Sequence, residues 1–417
     1  MINTHRLKFS LKRGFRRVKQ TIIMKILSLI VGFLLLFAIE ILRIYFIMPF
    51  PGSQKSDTID IAYWLANNII WLRIIGLVLI AIGIAHVFKY SKRWKKILVS
   101  AIVLFYAFVF FKFNYRFEAD KMFYQPKTKL FAAAATDTTD KSKLVIGVAI
   151  NGEAKAYPIQ IIGYHHQVRD TVGNTPVMIT YCTVCRTGRV FSPEVNGKLE
   201  SFRLVGMDHF NAMFEDATTK SWWRQATGEA ISGKLKGQRL TEIPSQQATL
   251  ASWLQQYPNS TILQPDTLFK EDYEDLAEYD KGTLKSKLEK RDSASWQFKS
   301  WIIGVVHNNT AKAYDWNKLV EKKLIQDSMP GLPLLITLES DTASFRVLNR
   351  TVNGSALNFE RDAITGNLKD TDTQSTWSVY GFCVDGALKG QRLQPIQAYQ
   401  EFWHSWQSFH PGTIKAD

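Results

Sequence analysis

The stretch VIGVAINGEAKAYP (145–158) returns at 302–315 as IIGVVHNNTAKAYD. Three more matches follow in the same order. Residues 174–202 (NTPVMITYCTVCRTGRVFSPEVNGKLESF) return without gaps at 331–359, 219–240 return one residue shorter at 373–393, and 252–262 return with small gaps at 405–414. Collinear self-similarity of this kind means one module used twice, and it restricts the fold to an architecture that two copies can share. The copies span 143–264 and 299–417. The charged stretch 265–298 lies between them as linker or insertion, and 113–142 precedes them as a linker.

Each copy is strand-rich. Asn151-Gly152 is a hairpin signal between LVIGVAI and KAYPI, and Asn196-Gly197 marks a second turn. PVMITYC and RVFSPEV predict strands. ATLASWLQQYP and IQAYQEFWHSWQSFHP place apolar residues at helical spacing. The expected class is α+β, mostly β, as a duplicated module of two pseudo-symmetric copies behind an N-terminal region of three transmembrane helices (1–112).

Three apolar runs support that region: Ile22 to Phe50, Ile69 to Val87 and Ile97 to Phe111. Each approaches the ~20 residues that cross a hydrocarbon core. Residues 1–130 hold 21 of the 52 basic and 5 of the 37 acidic side chains. The basic excess therefore belongs to the membrane region, and the remainder is close to neutral. That excludes a nucleic-acid partner driven by charge. The basic N-terminus and the Lys89–Lys96 loop predict a cytoplasmic N-terminus in the inner membrane. An odd number of spans then puts the rest outside the cytoplasm, where disulfides persist.

The repeat also separates scaffold from chemistry. Gly147/Gly304, Tyr157/Tyr314, Trp223/Trp377 and Trp253/Trp406 occur in both copies and are structural. The chemical candidates occur in the first copy alone. Cys182 and Cys185 align with Glu339 and Thr342, and His165 and His166 with Lys322 and Lys323. Asp208 and His209 fall where the second copy is shorter. Cys383, the third cysteine, aligns with Ala230. His404 and His410 sit on the aromatic C-terminal helix and read as core or surface residues.

A C-x-x-C pair followed by Arg186 rather than His excludes covalent haem attachment. The β-rich run after it does not fit the helix that follows a thioredoxin-type pair, although Arg186 is placed to lower a thiol pKa. A closed zinc site takes four ligands, and no second pair exists. Three readings stand. In the first, Cys182 and Cys185 are a redox pair with His165 as base or thiolate partner and no cofactor. In the second, Cys182, Cys185, His165 and His209 hold zinc or copper. In the third, the pair is a disulfide in a non-catalytic binding or scaffold protein. The sequence names no substrate and no redox partner.

Three segments, VIGVAINGEAKAYPIQII, DTVGNTPVMITYCTVCRTGRVFSP and SWWRQATGEAISGKLKGQRL, resemble an uncharacterised bacterial family, the domain of unknown function numbered 3179. The resemblance covers most of copy one and extends through copy two. It implies a membrane-anchored protein with possible selenoprotein relatives at a cysteine of the motif, which favours redox use. The family's usual Trp-His before DTVG matches Tyr164-His165, which singles out His165 of the two histidines, and GMDHFNAMFED departs from the commoner pattern around His209.

Overall fold

The computed structural model describes residues 3–416, with side chains from Gln20 onward. It divides into two units, 1–122 and 123–417.

The first unit is three helices, α1 (Asn3–Tyr45), α2 (Ile59–Tyr90) and α3 (Arg93–Tyr115). Their apolar segments, Gln20–Tyr45, Ile59–Tyr90 and Arg93–Tyr115, are all long enough to cross a membrane. The helices outrun the apolar runs. The basic loop expected at Lys89–Lys96 is mostly helical, with only Ser91 and Lys92 between α2 and α3. Polar residues cross-link the bundle where apolar packing alone gives little specificity. The fully buried Glu40 accepts two bonds from Arg73, each 2.7 Å, and one from Asn114 Nδ2 at 2.9 Å.

In the second unit, β1 (Phe131–Ala133) precedes a hairpin of β2 (Leu144–Ile150) and β3 (Glu153–Pro158) that turns at Asn151-Gly152. Short helix α4 (Ile159–His165) follows, then β4 (Gln167–Val172), β5 (Thr175–Cys182) and β6 (Thr187–Phe191) as an antiparallel sheet. Strands Phe202–Asp208, Asn211–Asp216, Trp222–Arg224 and Ala230–Ser232 form a further sheet. Strand Gln246–Thr249 pairs with β2, helix α5 (Leu250–Gln256) covers it, and Thr261–Leu263 joins β3 in parallel. The interval 113–142 thus contributes an edge strand, since β1 pairs with Thr261–Leu263.

After residue 300 a like succession appears. Strands Trp301–His307 and Thr310–Asp315 form a hairpin, α7 (Trp316–Lys322) follows, and Leu324–Met329, Leu332–Leu338 and Phe345–Asn349 make an antiparallel sheet. α8 (Trp403–Phe409) covers strand Ala398–Phe402, which pairs with Trp301–Val305. That strand corrects the longer helix expected over 396–411: Ala398–Phe402 is extended because it completes a sheet edge. The interval 265–298 holds α6 (Lys270–Glu274) and buries Tyr273 and Tyr279 in the core of β2–β5.

The residues common to both halves have packing reasons. A Cβ on Gly147 would stand 2.3 Å from the Trp253 ring, and one on Gly304 2.2 Å from Trp406, so only glycine lets α5 and α8 lie on their sheets. Trp223 Nε1 donates to Asp216 and Trp377 Nε1 to Asp370, at 3.0 and 2.9 Å. The halves also meet: Gln247 donates to Gln400 at 3.0 Å, and these two occupy the same register position beside β2 and beside Trp301–His307.

Candidate functional site

Cys182 ends β5 and pairs with Thr187 at the start of β6, so C-x-x-C is the connection of a hairpin. Arg186 closes it with a φ of 55°, a left-handed conformation. The four carbonyls from Cys182 to Cys185 are all engaged. Cys182 O accepts from Cys185 N at 3.3 Å, Thr183 O from Tyr279 OH at 2.9 Å, Val184 O from Lys299 Nζ, and Cys185 O from Phe402 N at 3.0 Å. Thr183 Oγ1 also donates to Glu289 at 3.0 Å. Tyr279, Glu289 and Lys299 come from the charged interval and its end, Phe402 from the strand before α8. These bonds hold the side chains of the turn in place.

Both thiols are wholly buried and neither is in a disulfide. They are unlike. Burial pushes Cys182 up, but hydrogen bonds from the Cys185 thiol and the Ala212 and Cys185 backbone N–H groups, with the Lys299 charge, hold it below the usual thiol range. Burial, and then its hydrogen bond to Cys182 and that residue's charge, push Cys185 well above that range. In its thiol form Cys182 donates to Phe210 O at 3.5 Å. Lys299 is brought down to about 8 by burial, partly offset by Cys185 and Cys182.

His404, the second residue of α8, puts Nε2 3.8 Å from Cys185 Sγ. Its Nδ1 lies 3.1 Å from Phe298 O, which only accepts, so Nδ1 carries the proton and Nε2 presents a lone pair to the thiol. Burial, then Lys299, hold His404 well below the ordinary imidazole range. Around the pair, Thr187 Oγ1 lies 3.1 Å from Glu401 and 3.2 Å from Ser405, and the buried Arg189 guanidinium is paired with Glu401.

The predicted histidines lie elsewhere. His165 ends α4 with Nδ1 on Tyr124 O and Nε2 2.6 Å from Tyr273 OH. His166 follows in a left-handed conformation, with Nδ1 3.0 Å from Tyr181 O. Both are buried, not on a solvated loop. His209 pairs through Nδ1 with Asp208 at 2.6 Å, and Asp208 also binds Arg224. Arg186, expected to supply the field at the thiols, bonds Gln400 at 2.8 Å, and the cation beside the sulfurs is Lys299. Among the described residues no three His, Cys, Asp or Glu side chains converge as a metal site. Sequence reasoning passed over Lys299 and His404. The signal for His404 was in the repeat: Ser252-Trp253 aligns with Ser405-Trp406, so His404 stands where the first copy has Ala251.

No curated protein and no solved structure matches the chain. The family model described as Protein of unknown function (DUF3179) matches residues 125–413, which take in the C-x-x-C turn, the charged interval and α8. The chain belongs to that family.

Proposed function

We propose that this protein is a membrane-anchored thiol–disulfide redox protein, with Cys182 as the attacking and Cys185 as the resolving thiol. The observation that carries the reading is the site's asymmetry: a clamped pair in which Lys299 and three hydrogen bonds favour a Cys182 thiolate, while Cys185 keeps its proton and faces the unprotonated Nε2 of His404.

The electron flow balances with a disulfide as substrate. The Cys182 thiolate attacks one substrate sulfur and expels the other as a thiolate, leaving a mixed disulfide. That bond removes the Cys182 charge that had been raising the Cys185 pKa. Cys185 then passes its proton to His404 Nε2 and attacks the Cys182 sulfur, expelling the second substrate thiolate, which takes the proton. The protein ends as the disulfide and the substrate as one thiolate and one thiol. A dithiol reductant resets it.

The two halves of 143–417 are read as copies of one module, supported by like strand orders and by Gly147–Trp253 and Gly304–Trp406. The charge asymmetry of the loops supports an extracytoplasmic site. A reporter fused after Phe113 should be active only outside the cytoplasm, and one at Ser91 only inside.

The test is thiol counting on the full chain in detergent. Mild oxidant should convert Cys182 and Cys185 to one disulfide, a small dithiol should reverse it, and Cys185→Ser should trap a mixed disulfide on Cys182. A pair that stays alkylatable after oxidation would sink the proposal.

A further inference from the structure

The turn that carries the thiols also borders a cleft of about 380 Å³. Arg186 reaches into it beside Trp301 and Asp280. The guanidinium carbon lies 3.9 Å from the Trp301 ring centre, and Nη2 is 3.5 Å from the Asp280 carbonyl, so the three residues are neighbours. Each brings one shielded polar atom without a hydrogen-bond partner among the described residues: Arg186 Nη1, Trp301 Nε1 and Asp280 Oδ1. Arg186 is fully buried and Trp301 is 7% exposed. Their remaining polar atoms are occupied, with Arg186 Nε on Gln400 at 2.8 Å and an Asp280 oxygen accepting from Leu144 N at 2.9 Å. An unmet buried polar group costs about 1–3 kcal/mol. Three on residues that line one cleft describe a site that a ligand completes.

The donor and acceptor pattern fixes the ligand's chemistry. Two N–H groups, on Arg186 and Trp301, call for oxygen acceptors, and Asp280 Oδ1 calls for an O–H or N–H donor. The charged lining is balanced, with Lys143, Arg186 and Lys281 against Asp140, Glu278 and Asp280. The field therefore gives no advantage to a multiply charged anion. We propose that this cleft binds a small carboxylate bearing an adjacent hydroxyl or ammonium group. Its carboxylate is taken by Arg186 Nη1 and Trp301 Nε1 and its donor by Asp280 Oδ1. Arg186 directly follows Cys185, so occupancy of the cleft is linked to the thiol turn through one residue. The interval 265–298 then has a use: it supplies Asp280 to this cleft and Tyr279 and Glu289 to the turn.

Calorimetric titration of the full chain in detergent tests this with glycolate, glycine, acetate and sulfate. Saturable 1:1 binding is expected for glycolate or glycine, and whichever binds tells hydroxyl from ammonium. Acetate, which lacks the donor, should bind about tenfold more weakly, and sulfate not at all. Trp301→Phe keeps the ring over Arg186, removes Nε1–H and should weaken binding about tenfold. Asp280→Asn keeps the shape and should abolish the preference over acetate. No binding in the millimolar range, equal binding of sulfate, or an unchanged Trp301→Phe affinity each overturn the proposal. The same titration on Cys182→Ser/Cys185→Ser protein should be unaltered, so its outcome is independent of the redox reading.

Discussion

At the end of β5 the chain places Cys182. At the end of the corresponding strand, Leu332–Leu338, it places Glu339. The registers agree, since Thr180 faces Arg189 and Thr337 faces Arg346. Both arginines are buried and donate through Nη1 to the carbonyl just before them, at 3.0 and 2.8 Å. They differ in their counter-ions. Arg346 pairs with Glu339 of its own turn at 2.7 Å, and Ser252 donates to that carboxylate at 2.9 Å. Arg189 pairs with Glu401, which comes from the other half of the unit and stands where the first half has Ala248. The turn position that must carry an acid in one half is released from that duty in the other. That release is what lets a thiol occupy it.

Glu401→Ala breaks this arrangement most severely. It leaves a fully buried guanidinium with only the longer contact to the half-exposed Glu242, at 3.7 Å, and a loss of about 3 kcal/mol is expected in denaturant unfolding. Cys182→Glu added to Glu401→Ala copies the Glu339/Ala248 pattern and should recover most of that loss. If the double variant is no more stable than Glu401→Ala, the two turns are not interchangeable and the comparison fails.

The caps after α4 and α7 sharpen it next. His166 and Lys323 both adopt left-handed conformations, but His166 is 3% exposed while Lys322 and Lys323 are not buried. Burial brings His166 down to about 4. A depressed histidine stabilises the fold above its unfolded pKa of ~6.5, and that contribution is lost as pH falls through the folded value. Unfolding free energy should drop by up to about 3 kcal/mol between pH 6.5 and 4 on this account. His166→Asn, which still donates to Tyr181 O and tolerates the left-handed backbone, should flatten that slope. An unchanged slope would place the acid sensitivity elsewhere, with His410, also brought down to about 4, the first to test.

What the residues disclosed in sequence follows the same division. Glycine and tryptophan pairs held by direct packing were legible, because a Cβ at Gly147 or Gly304 has nowhere to go. The C-x-x-C turn was legible because strand-forming runs, PVMITYC and RVFSPEV, flank it. The partners of the thiols were not: Lys299 and His404 lie more than a hundred residues away in the chain and reach the sulfurs only when α8 packs across the halves. His165 looked chemical because the second copy has Lys322 in its place and the family pattern matches Tyr164-His165, but the end of α4 is turned into an aromatic core against Phe269 and Tyr273.

A smaller effect separates the two turns by reactivity. Lys299→Met removes the ammonium beside Cys182 and keeps most of the side-chain volume. Alkylation of Cys182 near neutral pH should slow on the order of tenfold, with its pH profile moved upward. A slower rate with an unmoved profile would mean that access, not charge, had changed.

The smallest expected effect on stability concerns the hairpin over Cys182. Asp208 faces Asn211 across a two-residue turn, His209-Phe210, and both turn residues have positive φ, 48° and 68°. Such turns favour Asn-Gly, because a left-handed bulky residue costs about 1–2 kcal/mol. Against that cost, Phe210 puts its carbonyl on Cys182 and its ring edge-on to Phe298 and His404, at 6.2 and 6.0 Å. His209-Phe210→Asn-Gly relieves the backbone and gives up those ring contacts, terms of similar size and opposite sign. The unfolding free energy should therefore change by no more than about 1 kcal/mol. If the Phe210 ring, packed on Phe298 and His404, limits access to the thiol, alkylation of Cys182 should nevertheless rise, while the buried Cys383 in the other half keeps its rate. A gain in stability with no gain in Cys182 reactivity would show that Phe210 is held in that conformation for some purpose other than covering the thiol.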